Sequence, residues 1–216
     1  MSRRRLYWPL AILPFVIWPG LAGCRDAAAP LNQANVGAPH FSVVGGSTMV
    51  LQQSSSAPPL ETYQVSFWAY TGKETNVVVN YQRVGDEKVG QPFLRFYIPK
   101  IGLVAGGGGV PLNRSHDSVF VTLNIDPTNF RVDFQPSGVQ FAPVAPAILT
   151  LWYENRNPDL NGDGVVDSTD QTLLEKLAIY YEATSTTKLK IPSKNDTKNQ
   201  YVLGGLLHFS TYAVSW

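Results

Sequence analysis

Period-two alternation is the feature that most narrows the folds open to this chain. Over Ser118–Ile125, Val119, Val121, Leu123 and Ile125 fall on one side of an extended backbone. Thr62–Tyr70 sets Tyr63, Val65, Phe67 and Ala69 against Gln64, Ser66, Trp68 and Tyr70. Successive side chains of a strand point to opposite faces, so each stretch offers one face to a core and one to water. Shorter runs of the same kind are Asn76–Arg83, Phe93–Ile98, Phe130–Phe134, Val139–Phe141, Ala147–Glu154, Leu177–Glu182, Lys188–Ile191 and Leu206–Val214. Turns at Thr71-Gly72-Lys73, at Gly85 to Lys88 and at Pro136-Ser137-Gly138 separate several of them. The only helical turns expected are at Ser168–Lys176, with Ser168 as cap. Roughly nine short strands with Pro/Gly/Asn turns predict an all-β fold, an antiparallel β-sandwich. The chain has 216 residues, 44% hydrophobic and 12% aromatic, enough to give one such domain a substantial core. Gly106–Gly109 reads as a flexible loop; with no lysine or helix pattern beside it, it is no phosphate cradle.

One stretch interrupts the strands. In Asp159-Leu-Asn-Gly-Asp-Gly-Val-Val-Asp-Ser-Thr-Asp170, oxygen-bearing side chains stand at loop positions 1, 3, 5, 9 and 12: Asp159, Asn161, Asp163, Asp167 and Asp170. Gly164 at position 6 suits a sharp turn, Val165 at position 7 offers its backbone carbonyl, and Val166 at position 8 is expected to point inward. This is the spacing of an EF-hand-like Ca²⁺ loop. Four carboxylates in twelve residues repel one another without a cation, so Ca²⁺ is expected to order the insertion at 155–176. A single loop lacks the paired arrangement that opens a groove, so a clamp is expected rather than a sensor. Asp at position 12 resembles the loop of bacterial dockerin modules. That resemblance implies a cohesin partner, but such modules carry two loops and this chain has one.

The N-terminus supplies an address. Arg3-Arg4-Arg5, an apolar run from Leu6 to Trp18 and Leu21-Ala22-Gly23-Cys24 read as an export signal over 1–23. Pro9, Pro14 and Pro19 and the run's shortness argue against a membrane span. Leu-Ala-Gly-Cys resembles a bacterial lipobox, which implies that Cys24, the only cysteine, is lipidated. Arg25 follows it, not the Asp of an inner-membrane retention signal, so the outer membrane or cell surface is expected. Twin-arginine and general export both remain open. Cleavage removes three of the 17 basic residues and none of the 16 acidic ones, leaving 14 against 16. No basic patch is left for nucleic acid. Residues 24–60, with small polar residues at 25–40 and a serine-rich loop at Gln52–Pro59, are expected to tether the anchor to a domain at 61–216.

Phe130 to Phe141, Pro146 to Tyr153, Leu177 to Tyr181 and the closing His208-Phe-Ser-Thr-Tyr-Ala-Val214 resemble the β-sandwich of netrin receptors, ankyrins and zonula-occludens scaffolds. Bacterial envelope lipoproteins carry a similar domain. The likeness covers 130–214 well and 61–125 in outline, and it implies surface interaction rather than catalysis. In some relatives a His-Phe-Ser strand cleaves itself, which would make Ser210 the nucleophile, His208 the base and Phe209–Ser210 the cut. Read without that likeness, the same residues are a closing strand, Leu207, Phe209, Thr211 and Ala213 against His208, Ser210, Tyr212 and Val214. Other enzyme templates are absent: there is no Gly-x-Ser-x-Gly and no His-Glu-x-x-His. His40 and His116 fall in loops, and Asp117 beside His116 reads as a solvated turn. Trp68, Tyr70 and Trp152 offer stacking surfaces for sugars if exposed, and core packing if not. Three functions therefore stand: a calcium-stabilised envelope lipoprotein with a protein or glycan partner at the surface, a self-cleaving domain, and a carbohydrate- or cohesin-binding module.

Overall fold

A computed structural model describes residues 42–44, 49–85, 89–184 and 187–216. The export signal, Cys24 and His40 lie outside these residues. The first strands are β1 (Ser42–Val44), β2 (Gln64–Tyr70), β3 (Thr75–Asn80), β4 (Pro92–Ile98), β5 (Leu103–Ala105), β6 (Ser118–Asp126) and β7 (Arg131–Gln135). After them come β8 (Gln140–Phe141), β9 (Ala147–Trp152), β10 (Ala178–Glu182), β11 (Lys188–Lys190), β12 (Ser193–Asp196), β13 (Tyr201–Leu206) and β14 (Thr211–Ser215). One α-helix, α1 (Ser168–Glu175), lies between β9 and β10. Among the described residues no helix is long and apolar enough to cross a membrane.

All strand pairs are antiparallel. One sheet runs β1-β11-β10-β14-β7-β6-β2, the second β12-β13-β9-β4-β3, and β5 with β8 makes a small third. The period-two reading holds best in β6, where Val119, Val121, Leu123 and Ile125 are buried and the residues between them are not. In β2, Ala69 is buried while Gln64, Ser66 and Trp68 are exposed.

The two large sheets meet through aromatic rings. Phe96 of β4 lies 6.4 Å from Phe67 of β2, 4.8 Å from Phe134 of β7 and 5.7 Å from Phe209. Phe209 stacks on Phe134 at 5.0 Å and meets Phe141 edge-on at 5.2 Å. Each such pair adds about 0.5–1.5 kcal/mol beyond its buried area, so this cluster contributes to holding the sheets together.

Three expectations are corrected. Leu206–Val214 is not one strand: β13 belongs to the five-stranded sheet and β14 to the seven-stranded one. The chain crosses between layers over 207–210, and the crossing is fixed by burial of Phe209 and by its N–H donating to the Val139 carbonyl at 2.8 Å. The folded unit also begins well before residue 61. β1 pairs with β11, the Leu51 N–H bonds the Val214 carbonyl, and Leu51 and Leu60 are both core residues, so the later part of 24–60 is not a tether. Finally, the glycine run is tied down. Gly108 and Gly109 donate to the carbonyls of Ser137 and Gly138, and a Cβ on Gly107 would stand 2.9 Å from the Pro136 ring. The glycines there serve close approach rather than freedom. The strands β5, β12 and β13 had no clear alternation to announce them.

Two predictions follow from this core. Phe209→Ala should destabilise the fold by about 3–5 kcal/mol in urea unfolding, because the cavity opens where both sheets meet. Tyr153 is buried and donates to Asn195 Oδ1 at 2.7 Å. Burial, opposed by nearby Arg156, pushes its phenol up to about 12. Its neutral form therefore supports the fold fully below the ordinary tyrosine value of about 10, and that support is lost as pH climbs toward the folded value. Ultraviolet titration should find several tyrosines ionising above the ordinary range, Tyr212 and Tyr153 among them, and Tyr153→Phe should remove one of them and the loss of stability tied to it.

Candidate metal centre

Between Trp152 and Ala178 the chain leaves the five-stranded sheet and enters the seven-stranded one, and apolar side chains hold the excursion against the core. Leu160 and Leu174 are 5% and 7% exposed and join the main core. The Asn157 N–H donates to the Gln52 carbonyl at 2.7 Å, the Ser54 N–H to the Asn155 carbonyl at 2.9 Å, and Asn195 Nδ2 to the Leu174 carbonyl at 2.7 Å. The insertion is thus held at its entrance, middle and exit. These anchors were legible only in part: Leu160 and Leu174 stand out as apolar in a polar stretch, whereas nothing in the sequence marks Asn195.

Within the loop each acidic side chain organises backbone. Asp159 accepts from Gly162 N–H through Oδ1 (2.7 Å) and from Gly164 N–H through Oδ2 (2.8 Å). Both glycines have positive φ, +74° and +86°, a region costly for other residues. Asn161 Oδ1 accepts from the Asp163 N–H at 2.9 Å, and Asp163 Oδ1 from the Val165 N–H at 2.8 Å. Asn161 Nδ2 donates to Asp163 Oδ2 at 2.8 Å.

Asp167 and Asp170 start the helix. Asp167, not Ser168, is the cap: its Oδ1 accepts from Thr169 N–H at 2.7 Å, and Asp170 Oδ2 accepts from Asp167 N–H at 2.9 Å to complete a capping box. The aspartate wins because a carboxylate one residue earlier reaches the free N–H groups of the first turn. Asp170 also closes the loop, since its Oδ1 accepts from Leu160 N–H at 2.7 Å and Asn161 N–H at 3.2 Å. The bond from Asp167 N–H, aided by those of Asn161 and Leu160 and opposed by burial, holds the Asp170 carboxyl below its usual range.

The expectation for Val166 is wrong. It is 62% exposed, and Val165 is 58% exposed. Position 8 is left largely open to solvent, with no second loop to cover it among the described residues.

As arranged, no group of three or more His, Cys, Asp or Glu side chains among the described residues is placed to hold a metal ion. The donor chemistry is nonetheless that of a hard-cation site. Asp159, Asn161, Asp163, Asp167 and Asp170 offer only oxygens, with the Val165 carbonyl as a sixth group. The oxygens of Asp159 and Asp163 each accept one N–H and keep further lone pairs, whereas Asp170 Oδ1 already accepts two. The backbone there makes a tight turn, with Gly162 and Gly164 at positive φ and both N–H groups held by Asp159.

The remaining candidates are scattered. Cys24 lies outside the described residues. His208 Nδ1 is 3.4 Å from the Phe209 carbonyl oxygen, and the His208 ring meets Tyr181 edge-on at 4.8 Å. No hydrogen bond joins His208 to the Ser210 hydroxyl. Asp117 accepts from the Arg114 N–H, which makes it a turn residue beside His116. Of the aromatics, Trp68 is 54% exposed and pairs with Phe120 at 5.2 Å, while Tyr70 and Trp152 are half-buried. Comparison with protein-family models, curated proteins and solved structures finds no match to this chain.

Asp170→Ala should lower the melting temperature of calcium-free protein more than Asp163→Ala does. The first removes the acceptor of three N–H groups that join the loop ends; the second touches only exposed turn geometry. Differential scanning fluorimetry with chelator present measures the difference.

Proposed function

We propose that the chain is a calcium-binding, lipid-anchored bacterial envelope protein whose sandwich serves a structural, adhesive or assembly role at the surface. The observation that supports this reading most is Asp170. A buried carboxylate ties both ends of a twelve-residue acidic loop, so the remaining oxygen donors stand on a backbone already turned for a cation. Asp159, Asn161, Asp163, Asp167, Asp170 and the Val165 carbonyl would hold the ion. Bound Ca²⁺ would supply charge neutralisation, and the chain's own residues position the insertion through Leu160 and Leu174. A Kd in the range of about 10⁻⁴–10⁻³ M suffices outside the cell.

The anchor rests on the Leu-Ala-Gly-Cys24 motif, and the role at the surface on the β-sandwich architecture without an enzyme template. Self-cleavage at Phe209–Ser210 is not part of this reading, and intact mass of the purified protein should show Ser210–Trp216 still attached.

Isothermal titration calorimetry of the purified chain should find one Ca²⁺ per molecule. Calcium at ten times Kd adds about 1.4 kcal/mol of stability, a rise of about 3–6 °C in Tm for a domain of this size. Asp159→Ala with Asp163→Ala should abolish both effects. No heat of binding and an unmoved Tm would remove the calcium reading.

A further inference from the structure

β2 is one of the two edge strands of the seven-stranded sheet, and among the described residues it pairs only with β6. The ladder fixes which of its backbone groups are in use. Ile125 N–H donates to the Tyr63 carbonyl and Thr71 N–H to the Asp117 carbonyl. Tyr63 and Thr71 are both odd-numbered, so the odd residues between them turn their N–H and C=O toward β6, and the even residues turn theirs outward. The side chains agree: Trp68–Phe120 and Ser66–Thr122 make the close contacts of non-hydrogen-bonded pairs, 5.2 Å between rings and 2.9 Å between hydroxyls.

The outer edge is closed at both ends. Thr62 Oγ1 donates to the Gln64 carbonyl (2.7 Å) and accepts from the Gln64 N–H (3.3 Å). At the other end Lys73 N–H reaches the Tyr70 carbonyl at 3.4 Å. Between them the N–H and C=O of Ser66 and Trp68 have no hydrogen-bond partner among the described residues. Edges of natural sheets are usually blunted by charge, proline or a bulge. β2, Gln64-Val-Ser-Phe-Trp-Ala-Tyr70, has no charged residue and no proline, and its register with β6 is unbroken.

We propose that this window is a homodimer interface, in which β2 adds antiparallel to β2 of a second copy about a two-fold axis through Phe67. The pairing sets Ser66 opposite Trp68 of the other copy, twice, and makes four backbone hydrogen bonds that use every open group of the window. It also sets each large indole beside a small serine, which the alternative self-registers do not: they oppose Trp68 to Trp68 or Ser66 to Ser66. No like charges meet at the axis, and the two sheets become one continuous sheet. The exposed Trp68, already packed on Phe120, gains cover on its other side.

The register gives a specific test on the full chain, purified in detergent with Cys24→Ser so that an introduced cysteine stands alone. Ser66→Cys and Trp68→Cys proteins, mixed and oxidised, should form a disulfide-linked heterodimer. Directly paired Cα atoms lie about 5.5 Å apart, within disulfide reach. Either protein alone should cross-link far less, since its own cysteines would be diagonal, at about 7–8 Å. Ser66→Pro removes one outward N–H where edge strands tolerate proline, and should shift the otherwise unsubstituted chain from dimer to monomer in sedimentation. Trp68→Lys should do the same through charge repulsion. A chain that sediments as a monomer, or mixed cross-linking no greater than in the separate samples, overturns the proposal. So does a monomer whose Ser66 and Trp68 amides resist hydrogen exchange, because the chain's own N-terminal residues would then occupy the edge.

Discussion

The contact on which the sandwich depends is the aromatic cluster of Phe96, Phe134, Phe141 and Phe209. It joins three separate parts of the chain, β4, β7–β8 and the 207–210 crossing, at the point where the last strands change sheets. Once Phe209 is buried there, β13 and β14 have no choice of layer. β14 then takes its place between β10 and β7, and β13 lies beside β9. The insertion after β9 leaves from one sheet and returns to the other, so its ends are set by a scaffold it does not build.

That arrangement explains why a strongly acidic turn can be ordered at all. Leu160 and Leu174 anchor it by apolar burial, and Asp170 by hydrogen bonds to Leu160, Asn161 and Asp167. The carboxylates of Asp159 and Asp163 are left near the surface, serving as acceptors for turn N–H groups. Electrostatic repulsion among them is the term a divalent cation would relieve, and their hydrogen-bonded turns are what would make the relief specific.

The sequence read well where one physical rule acted alone. Val119, Val121, Leu123 and Ile125 alternate because β6 has a wet face and a dry one, and the structure buries those four. The helix after the loop was legible at Ser168–Lys176, though its cap is Asp167, one residue before the serine expected to serve. The misreadings came where a second force competed. Leu207 to Val214 alternate on paper, but burial of Phe209 pulls the chain across the core. Residues 49–60 look like linker by composition, yet buried Leu51 and Leu60 and backbone bonds to Thr128, Asn155 and Val214 draw them in. Val166 was given a loop's inward position without the partner loop that would bury it. The acidic spacing itself was plain, and most of the N–H groups the acids hold lie two to five residues away; the closure of the loop by Asp170 and the role of Asn195 depend on longer-range contacts that no local pattern encodes.

The central claim is that the loop at 159–170 takes up calcium on a backbone already in place. Amide resonances followed by nuclear magnetic resonance during a calcium titration test it most directly. The account predicts that Gly162, Gly164 and the residues around them shift and saturate at one equivalent, while β2 and β6 stay still. Unmoved loop amides, or small shifts spread evenly over the acidic surface, would contradict it.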